Sequence, residues 1–286
     1  MLKTQSRIQV KTNQPIYLVP FGDLHYGHRD CNIKEFERML RENNRPDTYF
    51  LGVGDIFDSI VMQDIRFQLS QLGGMDGKGF IDDYMDEVAN NFSKLWSKHK
   101  IPPERILFMG IGNHESNMMK RYSVNPLKQF CLKHGITYGA YSGYHTVILG
   151  VDGDQRKQSL HIRYHHGYGG GARTGGYPLT KYEKELMWSD ADIFVFGHDH
   201  RRHLQPYSYE KMSNGGQYIY KRRRILTICG GFLENRPMTE YPSYAEEKMY
   251  PATDIGYIKI PVVVRAKSMD GGSKNIRRYV DFPVYE

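Results

Sequence analysis

Short apolar runs recur along this chain, and each stops on a glycine followed by aspartate, asparagine or histidine. They are 16-IYLVPFGD-23, 49-YFLGVGD-55, 106-ILFMGIGN-113 and 192-DIFVFGHD-199. A run apolar on both faces fits a strand covered on both sides, because a half-exposed strand would alternate. Between the runs lie amphipathic stretches. Residues 32-NIKEFERMLREN-43 open on a capping asparagine and place Ile33, Phe36, Met39 and Leu40 at helical spacing. Residues 81–99 carry a similar stripe through Val88, Phe92 and Trp96, and 124-VNPLKQFCLKHG-135 ends on a C-capping glycine. From Tyr144 the chain turns strand-rich, at 144–152, 159–167, 217–230, 255–266 and 276–285, with one helical stretch at 179–189. Strands alternating with helices, then more strands, predict an α/β fold. The expected form is a four-layer α-β-β-α sandwich of two mixed β-sheets flanked by helices, in one domain over residues 1–286.

Composition narrows the class. Length, a 40% apolar fraction and a 25% charged fraction suit a soluble chain with a sizeable core. Cys31, Cys131 and Cys229 are odd in number and widely spaced, with no CxxC pair, so a disulfide framework is not expected. No secretory leader and no run able to span a bilayer is visible, which predicts a cytoplasmic protein with no membrane partner. The net charge of +7 suits an anionic partner. Tyrosine, at 22 residues, serves either half-buried sheet positions or stacking against bases.

The chemistry sits where the strands end. The sets are Asp23-Leu24-His25, Gly54-Asp55-Ile56-Phe57-Asp58, Gly112-Asn113-His114-Glu115, His165-His166-Gly167 and Gly197-His198-Asp199-His200. In an α/β sheet, ligands bind beyond the carboxyl ends of the strands. If the strands are parallel neighbours, five sets meet on one rim. One DxH or HxH is most often a polar turn, but five sets at the same strand end are not five accidents. Carboxylate, imidazole and one amide oxygen, without thiolate, suit Mn, Fe, Zn, Ni or Co. There are enough candidates for two ions sharing a bridging carboxylate, an arrangement that activates water and clamps an in-line displacement at phosphorus.

The ordered set GDLH, GDIFD, GNHE, HHG and GHDH resembles the calcineurin-like metallophosphoesterase superfamily. The resemblance spans Asp23 to His200 and implies a β-sandwich flanked by helices, with two divalent ions, manganese first among them. It implies that Asp23, His25 and His200 hold the first metal, that Asp55 bridges, and that Asn113, His166 and His198 hold the second. His114 is then the catalytic residue facing the substrate, and Asp58 and Glu115 orient a histidine or a loop. His165 and His166 face opposite ways on a strand, and the glycine that follows favours His166 as the ligand.

Substrate choice rests on weaker features. Basic clusters occur at Lys120-Arg121, Arg201-Arg202-His203, Lys221-Arg222-Arg223-Arg224 and Arg277-Arg278. Arg201 and Arg202 follow the last ligand directly and are candidates for substrate binding, with Arg173 in the glycine-rich 168–178 and His28 beyond the first motif. Asp30 is expected to cap the helix near Asn32, and both 70–79 and 168–178 read as loops. The sequence favours phosphodiester substrates such as DNA, RNA or a nucleotide. A phosphomonoesterase acting on a phosphoprotein or small metabolite is the alternative enzyme, and a metal-free scaffold the alternative outside enzymes.

Overall fold

Strands apolar on both faces need cover on both sides, and the fold supplies it in four layers. The computed structural model describes residues 2–58, 81–151, 157–169, 177–213, 215–217, 219–237, 243–268 and 276–283. Arg173, the stretch 70–79 and the middle of 168–178 lie outside the described residues.

One sheet takes β2 (Pro15–Phe21), β3 (Thr48–Val53), β4 (Ile106–Gly110) and β5 (Tyr138–Ala140) as parallel neighbours. It is extended antiparallel by β11 (Ile260–Ser268) and β12 (Ile276–Asp281), giving the order β12-β11-β2-β3-β4-β5. The other sheet has β1 (Leu2–Val10), β6 (Ser142–Val151), β7 (Gln158–His165), β8 (Ile193–Phe196), β10 (Ile219–Cys229) and β9 (Arg202–Met212), in the order β1-β6-β7-β8-β10-β9. Here β7, β8 and β10 run parallel, while β9 returns antiparallel along β10 at the edge.

β8 shows why its sequence is uniformly apolar. Ile193 and Val195 point into the core between the sheets, with Leu18, Leu51, Leu149 and Ile162. Phe194 and Phe196 point outward, against Tyr182 of α5 (Tyr177–Glu183). The outer face of the other sheet is covered by α1 (Ile33–Asn43), α2 (Ile81–Lys98) and α4 (Pro126–His134). Phe92 of α2 is fully buried there, and its ring meets those of Tyr26, Phe36, Phe57, Trp96 and Phe130. The helix ends follow local chemistry. Asn32 Oδ1 accepts from Glu35 N at 3.0 Å, and Gly135 closes α4 at a φ of 65°.

Three expectations change. Asp30 does not cap α1. Its carboxylate pairs with Arg29 at 3.3 Å and lies 3.7 Å from His28, because Asn32 already occupies the cap. The helix over 179–189 divides into α5 and α6 (Glu185–Trp188). A further helix, α3 (Asn113–Tyr122), starts directly at the third ligand set. Among the described residues, α7 (Tyr244–Glu247) completes the helices, and none is long and apolar enough to cross a membrane.

A buried ion pair docks α5 on the sheet. Lys181 Nζ lies 2.8 and 2.7 Å from the two oxygens of Asp199, and Tyr182 Oη donates to Asp199 Oδ2 at 2.7 Å. Lys181 Nζ also donates to the Tyr168 carbonyl at 2.8 Å. Lys181→Met is expected to strand the Asp199 charge and cost about 3–5 kcal/mol in urea unfolding. Lys181→Met with Asp199→Leu should recover most of that loss. A single variant as stable as the wild type would show that the pair does not hold α5.

Candidate metal centre

The backbone delivers the ligand residues in a conformation that side chains normally avoid. Asp23, His25, Asp55, His198 and His200 all have φ between 49° and 75°. The left-handed region costs roughly 1–2 kcal/mol per non-glycine residue, and such strain collects at functional sites. Each strand thus ends in an abrupt reversal that throws the next side chain over the rim. Two glycines make room for it. Gly54 has a φ of 105°, and a Cβ there would lie 2.3 Å from Gly112 N. A Cβ on Gly112 would come within 2.1 Å of Asp55 Oδ1 and 2.5 Å of His166 Cε1.

The five sets meet on one rim, but from two sheets rather than one. Strands β2, β3 and β4 bring Asp23, His25, Asp55, Asp58 and, through the start of α3, Asn113 to Glu115. Strands β7 and β8 of the facing sheet bring His166, His198 and His200. The seam is stitched by His198 N donating to Asp23 Oδ2 at 2.8 Å.

Asp55 stands in the middle. Its Oδ2 is 3.2 Å from His166 Nε2 and 3.9 Å from both His25 Nε2 and His114 Nε2. Its Oδ1 accepts from His114 N at 2.9 Å, at the amino end of α3, where the helix dipole favours a negative charge. On one side, possible ligand atoms of Asp23, His25 and His200 lie within 4.8 Å of one another. On the other, those of Asp55, His166 and His198 do the same. Asn113 Oδ1 joins this second group, 3.1 Å from His166 Nε2 and 2.9 Å from His198 Nδ1.

The rings are aimed by partners outside the cluster. The Val53 carbonyl accepts from His166 Nδ1 at 2.9 Å, which turns Nε2 to the centre. The Gly169 carbonyl accepts from His198 Nε2 at 2.6 Å, which turns Nδ1 inward. Asp58 Oδ1 lies 3.0 Å from His114 Nδ1 and 3.5 Å from His25 Nδ1, so one carboxylate orients two histidines. Glu115 accepts from the backbone N–H of Asp55, Ile56, Phe57 and Gly112 at 2.7–3.1 Å. His165 lies outside the cluster, accepting from Gly167 N at 2.9 Å with its ring edge-on to Tyr141.

The donor set fits cations. Asp23 Oδ1, His25 Nε2 and His200 Nδ1 are buried without a hydrogen-bond partner among the described residues. Leaving such atoms unsatisfied costs about 1–3 kcal/mol each, so they are placed to meet a ligand rather than to stabilise the fold. The electrostatics agree. Burial lifts the Asp23 carboxyl to about 8, with Asp55 adding to the rise and His166 offsetting part of it. Burial presses His166 toward neutrality, but Asp55 outweighs it and raises the imidazole to about 9. Burial alone would raise Asp55, yet His166 and His114 hold it well below the usual carboxylate range. A divalent cation at such a cluster inverts this balance and keeps the carboxylates ionised and the imidazoles neutral. Asp23, His25 and His200 would hold one ion and Asn113, His166 and His198 another, with Asp55 between them.

The weaker sequence candidates fall at the margin. His28 is half-buried, with its Nδ1 accepting from Asp30 N at 3.1 Å, and it feels the charges of Asp58 and His114. Arg201 and Arg202 line an open pocket of about 580 Å³ with His203, Thr253, Asp254 and Ile258. Arg202 is exposed and lies 3.6 Å from Asp254. Two supports escaped the sequence reading. Tyr141 Oη donates to the Gly167 carbonyl at 2.9 Å, beside His166. Asp199, inside the last motif, turns away from the cluster to Lys181. The signal for Asp199 was its place between two ligands, since neighbours at a strand end cannot all face inward.

No family model matches the chain, and no curated protein matches it. Among solved structures the chain is similar to GAP50, the anchor in the inner membrane complex of Plasmodium, at 13% identity over 92% of this chain and 88% of that one, with a TM-score of 0.42. It is similar to a predicted phosphoesterase from Streptococcus pneumoniae at 10% identity, covering 94% and 99%, with a TM-score of 0.34. It is also similar to Vps29 complexed with zinc from Entamoeba histolytica at 12% identity, covering 93% and 99%, with a TM-score of 0.34. At these scores the likenesses carry no argument, and what the chain does is argued from its own site.

Proposed function

We propose that this chain is a metal-dependent phosphoesterase with two divalent ions, manganese the first to supply. The observation that carries the reading is the shared carboxylate: two ligand groups lie on either side of Asp55, with buried donor atoms left for cations. Two ions held there supply an activated water and polarise phosphoryl oxygens, chemistry suited to in-line displacement at phosphorus. The protein's own part is positioning. Asp58 fixes the His114 ring by its Nδ1, so Nε2 faces the centre and a proton there is within reach of a leaving oxygen. Glu115 holds the Asp55 loop against α3, so the bridging carboxylate keeps its place as charge develops. We favour phosphodiesters over monoesters because Arg201 and Arg202 follow the ligand His200 and line an open pocket, where they would meet a flanking phosphate.

Purified protein supplied with Mn²⁺ is expected to hydrolyse bis-p-nitrophenyl phosphate faster than p-nitrophenyl phosphate. Preference for the monoester would move the reading to a phosphatase, and no turnover with no bound metal would move it to a scaffold. Asp55→Asn should lose both metals and all turnover, so retained stoichiometry by elemental analysis would sink the bridging role. His114→Ala is expected to keep both metals and lose about 10²–10⁴ in kcat. Because ligand atoms of His114 also fall within 4.8 Å of those of His25 and Asp55, a drop in bound metal would make it a ligand instead. Arg201→Ala with Arg202→Ala should raise KM for a polyanionic substrate and flatten its salt dependence.

A further inference from the structure

An aromatic and basic face begins at the metal centre and continues across the helical layer. Tyr168 stands two residues past His166 and is 44% exposed. Lys184 Nζ sits 5.2 Å from its ring centroid and 5.8 Å from that of Trp188. Trp188 is 70% exposed at the end of α6, although aromatic rings of this size are normally well covered.

The outer half of the β9–β10 hairpin continues the same face. β8 pairs with β10 only from Ile225, so Tyr207–Met212 and Ile219–Arg224 pair only with each other. On one side of this ribbon the cross-strand pairs are Tyr207 with Arg224, Tyr209 with Arg222, and Lys211 with Tyr220. Every pair is one ring and one cation, and Arg224 lies 4.0 Å over the Tyr209 ring. This side joins the helices directly. Tyr207 Oη donates to Glu183 at 2.6 Å, and Arg224 Nη1 donates to the Leu186 carbonyl at 3.0 Å.

Charge favours one kind of occupant. β9 and β10 carry six Lys and Arg residues and a single acid, Glu210, in a chain of net charge +7. On the helices, Glu183 is engaged by Tyr207, and Glu185 lies 3.4 Å from Arg163. The core of a protein–protein contact is depleted of charge, whereas single-stranded nucleic acid uses stacking rings flanked by cations. We propose that this face binds single-stranded nucleic acid, with bases stacking on Tyr168 and Trp188 and phosphates meeting Lys184, Arg222 and Lys211. The link from this face to catalysis rests on the phosphoesterase reading above; the binding itself does not.

The test therefore measures binding in EDTA. The chain has two tryptophans, and Trp96 is buried in the core, so quenching by oligothymidylate reports on Trp188. Wild type is expected to bind a fluorescein-labelled strand of about twenty nucleotides, seen by anisotropy, with its intrinsic fluorescence quenched. Trp188→Phe should keep the affinity and lose the quench. Trp188→Ala should weaken binding about tenfold. Lys184→Gln with Arg222→Gln should lower the slope of log affinity against log salt by roughly 0.7 for each cation removed. Thermal melts of each variant check folding, and the lysine and arginine substitutions test the face independently of the tryptophan. Wild-type affinity in Trp188→Ala, or binding without a quench, would overturn the proposal. So would a wild-type dimer that Trp188→Ala turns monomeric with no change in affinity for the strand, which would make the face a contact between copies. Turnover of bis-p-nitrophenyl phosphate without strand binding overturns this inference alone, and strand binding without turnover overturns the metal-centre reading alone.

Discussion

One buried carboxylate organises the rim. Glu115 is wholly enclosed and spends its oxygens on four backbone N–H groups, three from the loop after β3 and one from the loop after β4. Burial and the nearby Asp55 push its pKa up, and the backbone hydrogen bonds oppose them. The loop after β3 is also tied to the loop after β2, through Leu24 N and His25 N to the Asp55 carbonyl and Tyr26 N to the Ile56 carbonyl, and Glu115 adds the link to the loop after β4. Tied together, they leave Asp55 at the meeting point of both sheets, where His166 from the facing sheet approaches it to 3.2 Å.

The candidate ligand cluster carries several features that cost local stability. Five of its residues hold left-handed backbone, several of its polar atoms are buried without partners, and two carboxylates share a desolvated space. Such an arrangement persists only where the surroundings over-determine it. The surroundings here are the inter-sheet core below the rim and the aromatic layer around Phe92 beside it. Strain of this kind is what leaves donor atoms unpaired with one another and open to a cation.

Asp199 connects this rim to the rest of the surface. It lies between His198 and His200 in sequence, yet its charge is answered by Lys181 of α5, which also holds the Tyr168 carbonyl. One buried pair therefore ties the loop after β8 to the chain at Tyr168. The aromatic and basic face begins just beyond α5, at Lys184 and Trp188, and α5 meets the hairpin through Glu183, so the rim and the outer face adjoin through that helix.

Much of the site was legible because its signals are local. A strand buried on both sides shows as an unbroken apolar run, and the polar residue that ends it shows as a break. That was enough to locate Asp23, Asp55, Asn113, His166 and His198 at strand ends and to expect a layered α/β fold. β9 was missed because RHLQPYSYEKM is a half-covered edge strand with no apolar alternation. β1 and β5 were missed as well, and α3 was hidden behind the motif that starts it. The division of the ligands between two sheets was not legible either. His198 N reaches Asp23 across 175 residues, and no spacing within one segment encodes that contact. The sequence alone determined that the apolar runs are strands and which side chains stand at their ends, because periodicity and breaks are properties of neighbours along the chain. Only the tertiary structure decided that these ends share one rim, that Asp55 lies between two ligand groups and that Asp199 turns away, because those facts depend on how distant strands pair and pack.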